Sequence, residues 1–224
     1  MTGRVRRALG LTAFAIAMGI LESVVVLYLR ELYYPGGFRF PIVRMPDRVA
    51  VAEVIREAAT IVMLASVAAL ARRHRADGFF VFGFLFGVWD LVYYAGLRIF
   101  LSWPDSFGAW DILFLIPVPW LAPVIYPVVV SLLLIVGFLA HETAEAAGRS
   151  ISPSRIGWAV AVGGASGVAA SFCWRFRDVL DGRVPQGFPA ALFWTALATA
   201  ASPFVRGTLD ALAGRRSREA AGPR

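Results

Sequence analysis

The stretch Ile112–Ala140, ILFLIPVPWLAPVIYPVVVSLLLIVGFLA, decides the fold class. It carries no charge and exceeds the ~20 mostly apolar residues that an α-helix needs to cross a hydrocarbon core. Yet Pro117, Pro119, Pro123 and Pro127 interrupt it. Each proline removes a backbone donor and obstructs the preceding helical turn. The pattern predicts a broken element: a short half-helix or re-entrant piece around Trp110–Ile116, then a helix from about Pro123. Non-helical backbone at membrane depth persists only where it is buried in protein or lines a wet cavity.

Working outward, similar apolar runs flank this one on both sides. Ala8–Leu29 is interrupted only by Glu22 and follows Arg4, Arg6 and Arg7. Cleavage after Ala15-Ile16-Ala17 would leave a very short apolar core, so a retained helix is expected rather than a signal peptide. Val49–Ala71 carries Glu53, Arg56 and Glu57 in its first third, and Gly78–Leu101 carries Asp90 and Arg98. Ile156–Trp174 places Ala159, Gly163, Gly167 and Ser171 every four residues, a small-residue face that would let a partner helix approach. Phe188–Val205 is Ala-rich and the least hydrophobic span. The expected fold is all-α: a polytopic transmembrane bundle of about six spans with a proline-broken fourth element. Residues 1–206 form one domain, and Gly207–Arg224 is expected to be a polar, Arg-rich cytoplasmic tail.

Composition agrees. Of 224 residues, 58% are hydrophobic and 17% charged. Soluble domains run nearer 45–50% and about 25%, so a soluble enzyme and a disordered chain are both excluded. The single cysteine, Cys173, rules out an intramolecular disulfide and a CxxC pair. The net charge of +7 is carried on the basic side entirely by arginine. These arginines cluster at the ends of apolar runs and are not interleaved with stacking aromatics, so the lipid bilayer, not nucleic acid, is the expected partner. With six spans, twelve arginines fall on the side of the termini and eight on the other, Arg56 and Arg206 uncounted. That bias predicts both termini on the cytoplasmic side of the membrane.

Charges inside the spans are the candidate functional residues. A charge at mid-span costs about 2.5–3.5 kcal/mol on insertion scales and needs a partner, a wet cavity or a neutral state. Glu22 and Asp90 lie near the middles of two spans that run in the same direction. Arg30 and Arg98 follow them by eight residues, about 12 Å along a helix, and Tyr94 extends the Asp90 stripe. Glu53 and Glu57 share a face beside Arg56, and Asp111 opens the broken element. Gly87-Val88-Trp89-Asp90-Leu91 and Gly108-Ala109-Trp110-Asp111-Ile112 share the pattern G-x-W-D-[LI].

No metal or other cofactor is expected. His74 and His141 both fall on the cytoplasmic side, His141 reads as a helix-end partner of Glu142, and no Glu-x-x-His, Walker A, G-x-S-x-G or H-E-x-x-H motif occurs.

Four stretches resemble a family of small prokaryotic integral membrane proteins with no established activity: Tyr28–Phe38 (YLRELYYPGGF), Arg56–Thr60 (REAAT), Val88–Tyr94 (VWDLVYY) and Trp110–Trp120 (WDILFLIPVPW). The resemblance covers about the first 60% of the chain. It implies a multi-pass protein of a prokaryotic plasma (inner) membrane and no particular reaction.

Three functions suit these residues. The first is a carrier or channel-like protein built around Glu22, Glu57 and Asp90. The second is a membrane-embedded enzyme on a lipid or polyprenyl substrate, with arginines holding a phosphate. The third is an assembly subunit docking through Gly163, Gly167 and Ser171.

Overall fold

The computed structural model describes residues 3–212. The elements run α1 (Gly3–Tyr33), α2 (Asp47–Ala71), α3 (Arg75–Leu101), β1 (Trp110–Phe114), β2 (Trp120–Pro123), α4 (Ile125–Ala146), α5 (Arg155–Cys173), the short α6 (Phe176–Leu180) and α7 (Ala190–Leu212). Five stretches are long and apolar enough to cross a membrane: α1, α2, α3, α4 and the Arg155–Leu180 segment. Large apolar side chains stand open on their outer faces, with Leu70 86%, Ile156 78% and Ile99 77% exposed. A surface of that kind is suited to lipid rather than water, and the chain is a multi-pass membrane protein. Helix α7 is not among the five; its alanines and its Pro203, Arg206 and Asp210 dilute its hydropathy.

Helix α3 is the central post, and it is by far the most buried of the five. Helix α1 runs parallel to it, with Arg7 meeting Asp77 at one end and Gly19 meeting Trp89 and Val92 farther along. Helix α4 runs antiparallel: Asp90 meets Ser131, Phe84 stacks on Phe138 and Asp77 meets His141. Glycines set how close these helices come. A Cβ on Gly87 would lie 2.6 Å from the Ser131 carbonyl oxygen, and one on Gly19 would lie 2.7 Å from that of Trp89.

The fourth element differs from expectation. Trp110–Ile116 is not a half-helix: β1 and β2 form an antiparallel hairpin, and α4 begins at Ile125. Pro117 and Pro119 sit in the turn, where a missing N–H breaks no ladder bond. Where the hairpin joins α4, the Val124 N–H donates to Ala109 O and the Ile125 N–H to Phe107 O, both at 3.0 Å. The repeated G-x-W-D-[LI] pattern therefore has two structures, a helix at Asp90 and a strand at Asp111.

At the end of the bundle that carries the α1 N-terminus, ionic contacts join three helices and the α2–α3 corner. Arg7 donates to Asp77 at 2.7 Å, to Glu142 at 2.9 Å and to the Ala71 carbonyl at 3.0 Å. Arg73 also holds both Asp77 and Glu142. The expected His141–Glu142 partnership is absent from these contacts. Glu142 faces the two arginines, while His141 is fully buried against Asp77 at 3.2 Å.

Helices α5 and α7 form an antiparallel pair. A Cβ on Gly164 would lie 2.7 Å from the Ala196 carbonyl oxygen, and one on Gly167 would lie 2.8 Å from Ala196 Cβ. The buried face of α5 runs Ala161, Gly164, Val168 and Ser171, spaced three and four residues apart, with Phe172 buried beside them. A strict four-residue stripe winds away from a straight partner because a turn holds 3.6 residues. So Gly167 and Ser171 are taken up inside the chain, and Gly163 has open space around it. Helix α7 also continues through Gly207–Leu212, where a tail was expected to begin. The rest of that stretch, with Arg215, Arg216, Arg218 and Arg224, lies outside the described residues.

Overpacking a close contact costs about 1–3 kcal/mol. Gly164→Val is expected to lower the melting temperature in detergent clearly, whereas Gly163→Val leaves it nearly unchanged. Equal effects of the two would contradict this packing.

Candidate functional site

The site is built from α1 and α2 upward. On α2, the three-residue spacing lets Arg56 Nε donate to Glu53 Oε2 at 2.9 Å. The same guanidinium reaches across to α1 and donates to Glu22 Oε1. One turn round from Glu53, Glu57 leaves its helix and accepts the Leu115 N–H at 2.8 Å, holding the hairpin turn against α2. On α3, Asp90 accepts from Ser131 Oγ of α4 at 2.7 Å.

A second group lies beside the first. Asp111 of β1 accepts from Arg30 at 3.0 Å and from the Tyr94 hydroxyl at 3.2 Å. The Arg30 guanidinium lies 3.7 Å from the Trp103 ring centre and 4.3 Å from that of Phe38. Both members of the pair are almost wholly buried, Arg30 at 6% and Asp111 at 2% exposure. Aromatic faces stabilise a desolvated guanidinium by a further ~2 kcal/mol, so this cation is fixed in place.

Glu22, Arg56, Glu57, Asp90 and Tyr94 line one cavity of about 200 Å³, enclosed by α1, α2, α3, the hairpin, α4 and α5. Its other walls include Trp89, Tyr93, Phe114, Trp120 and Phe172. The indole nitrogens of Trp89 and Trp120 are buried with no hydrogen-bond partner among the described residues. Glu57 and Asp90 form no ion pair among the described residues, while Arg56 is divided between Glu22 and Glu53. The cavity thus presents acids and aromatic faces, with its one cation already engaged.

Not every candidate belongs to it. Glu53 backs Arg56 from outside the lining. Arg30 and Asp111 adjoin the cavity through Tyr94 but do not border it. Arg98 is exposed and donates to the carbonyls of Ser102 and Pro104, capping the end of α3. The eight-residue spacing therefore pairs neither Glu22 with Arg30 nor Asp90 with Arg98; each acid takes a nearer group on a neighbouring element.

Sequence reasoning missed Trp89, Trp120, Tyr93 and Ser131. Ser131 had a visible signal, being the only serine or threonine hydroxyl in the uncharged run Ile112–Ala140. No protein-family model matches the chain, and neither curated proteins nor solved structures yield a match.

Breaking a buried ion pair from one side costs about 3–5 kcal/mol, because the surviving charge is left unpaired. Arg30→Ala is expected to destabilise the detergent-solubilised protein on that scale. Arg30→Met combined with Asp111→Leu should recover most of the loss in a thermal melt. Equal melting of the single and double variants would show that the pair is not coupled.

Proposed function

We propose that this chain is a carrier for a small amine-bearing solute in a prokaryotic plasma membrane, with the cavity as its binding site. In this reading both termini are cytoplasmic, following the arginine bias, and the cavity lies in the outer half of the membrane. The observation that carries the proposal is the convergence of Glu22, Glu57, Asp90 and Arg56 on one cavity. Ionisable groups inside a membrane bundle mark substrate and proton pathways when they face a cavity.

The chemistry of the lining narrows the solute class. Glu57 and Asp90 offer oxygen acceptors to an ammonium group, and the rings of Trp89, Trp120 and Phe172 can flank it. A solute seated there meets carboxyls from α2 and α3 together, so its binding and a proton's are linked through the same oxygens.

The arrangement disfavours an enzyme that grips a lipid phosphate. Such a site needs free arginines, but Arg56 is held by two glutamates, Arg30 by Asp111, and Arg98 by the end of α3.

The test is uptake of labelled methylammonium into proteoliposomes, with a trapped pH dye recording protons. Asp90→Asn and Glu57→Gln should each cut uptake by about tenfold or more, the effect of losing one charged contact worth about 1.4 kcal/mol. Arg98→Ala should leave it unchanged. Uptake equal to wild type in both acid variants would refute the site.

A further inference from the structure

A second cluster of ligating side chains lies at the opposite end of the bundle, and the carrier reading makes no use of it. His74 precedes α3, while His141 and Glu145 stand one turn apart on α4. One donor atom from each lies within 4.8 Å of the others. His74 Nε2 is 3.4 Å from Glu145 Oε1. That separation matches the ligand-to-ligand edge of a tetrahedral site with bonds of about 2.0–2.1 Å, which is about 3.4 Å.

We propose that His74, His141 and Glu145 bind a divalent transition-metal ion, with zinc the best match to two imidazoles and one carboxylate.

His141 supplies the independent observation. It is wholly buried, its Nε2 lies 3.2 Å from Asp77 Oδ1, and its Nδ1 has no partner among the described residues. With Nε2 donating its proton to Asp77, Nδ1 carries a bare lone pair. A carboxylate behind a histidine in this way fixes the tautomer and raises the basicity of the free nitrogen, the arrangement found behind metal-binding histidines. Phe80 stacks on the His141 ring with centres 4.1 Å apart and planes 7° from parallel, so the ring is held in orientation. Asp77 is itself anchored by Arg7 and Arg73.

The ion has a way in. His74 is 39% and Glu145 19% exposed at their side chains, on the open side of the cluster. Three protein ligands leave a fourth position for water or another donor. Loading the metal on His74 Nε2 puts that ring's proton on Nδ1, which ends the 3.3 Å bond Nδ1 now accepts from the Asp77 N–H. Metal binding and the cap of α3 are therefore alternatives, and the ion ties the start of α3 to the end of α4.

The experiment uses the full-length protein in detergent, stripped with a chelator and titrated with Zn²⁺ against a chromophoric competitor. Co²⁺ is added in parallel for its tetrahedral visible spectrum. One zinc per chain and a tetrahedral cobalt spectrum are expected. His74→Ala and Glu145→Ala, both partly exposed positions, should each weaken binding by about tenfold or more, and Glu31→Gln at the far end should not. Absence of stoichiometric binding, or unchanged affinity in either ligand variant, overturns the site. The carrier reading survives that result, because the uptake assay does not involve these residues.

Discussion

Removing a carboxylate from water costs several kcal/mol, and inside a bundle only a partner on the spot repays it. In this chain the partner almost always belongs to a different element. Glu22 of α1 takes Arg56 of α2; Glu57 of α2 takes the hairpin backbone; Asp90 of α3 takes Ser131 of α4; Asp111 of β1 takes Arg30 of α1. Apolar packing between helices has little directionality in lipid, where tails are as apolar as leucine. The polar contacts are therefore what fix the axial positions of the first four helices. Shifting one helix by a single turn would leave several charges unpaired at once.

These contacts lie in two layers, one toward each end of the bundle, separated by apolar and glycine contacts along α3. The layer at the α1 N-terminus is dense: Arg7 and Arg73 are shared between Asp77 and Glu142. The other is looser, with a cavity between its members and two indole donors unused. The same helices thus carry a dense ionic cluster at one end and a polar cavity toward the other.

Much of this was legible in the sequence, for a physical reason. Apolar runs of membrane length and mid-span acids are one-dimensional signals, so the helices and the presence of Glu22, Glu57 and Asp90 inside the bundle followed from spacing alone. Partner choice was not legible. Arg30 lies eight residues beyond Glu22 but spans 81 residues to reach Asp111, because a buried charge takes whatever opposite charge the fold brings within 4 Å. The hairpin escaped too: prolines announce a break without saying what fills it, and Trp110–Phe114 is apolar enough to read as helix. His141 was misassigned because adjacency to Glu142 in sequence places the two on different faces of α4.

The hairpin has a consequence for how the chain meets lipid. A membrane helix satisfies its own backbone and can enter lipid alone, but a two-stranded ribbon has open edges that hydrocarbon cannot solvate. Here the Leu115 N–H donates to Glu57 of α2, and Asp111 accepts from Arg30 of α1 and Tyr94 of α3. The ribbon is therefore better satisfied when α1, α2 and α3 surround it than alone in lipid.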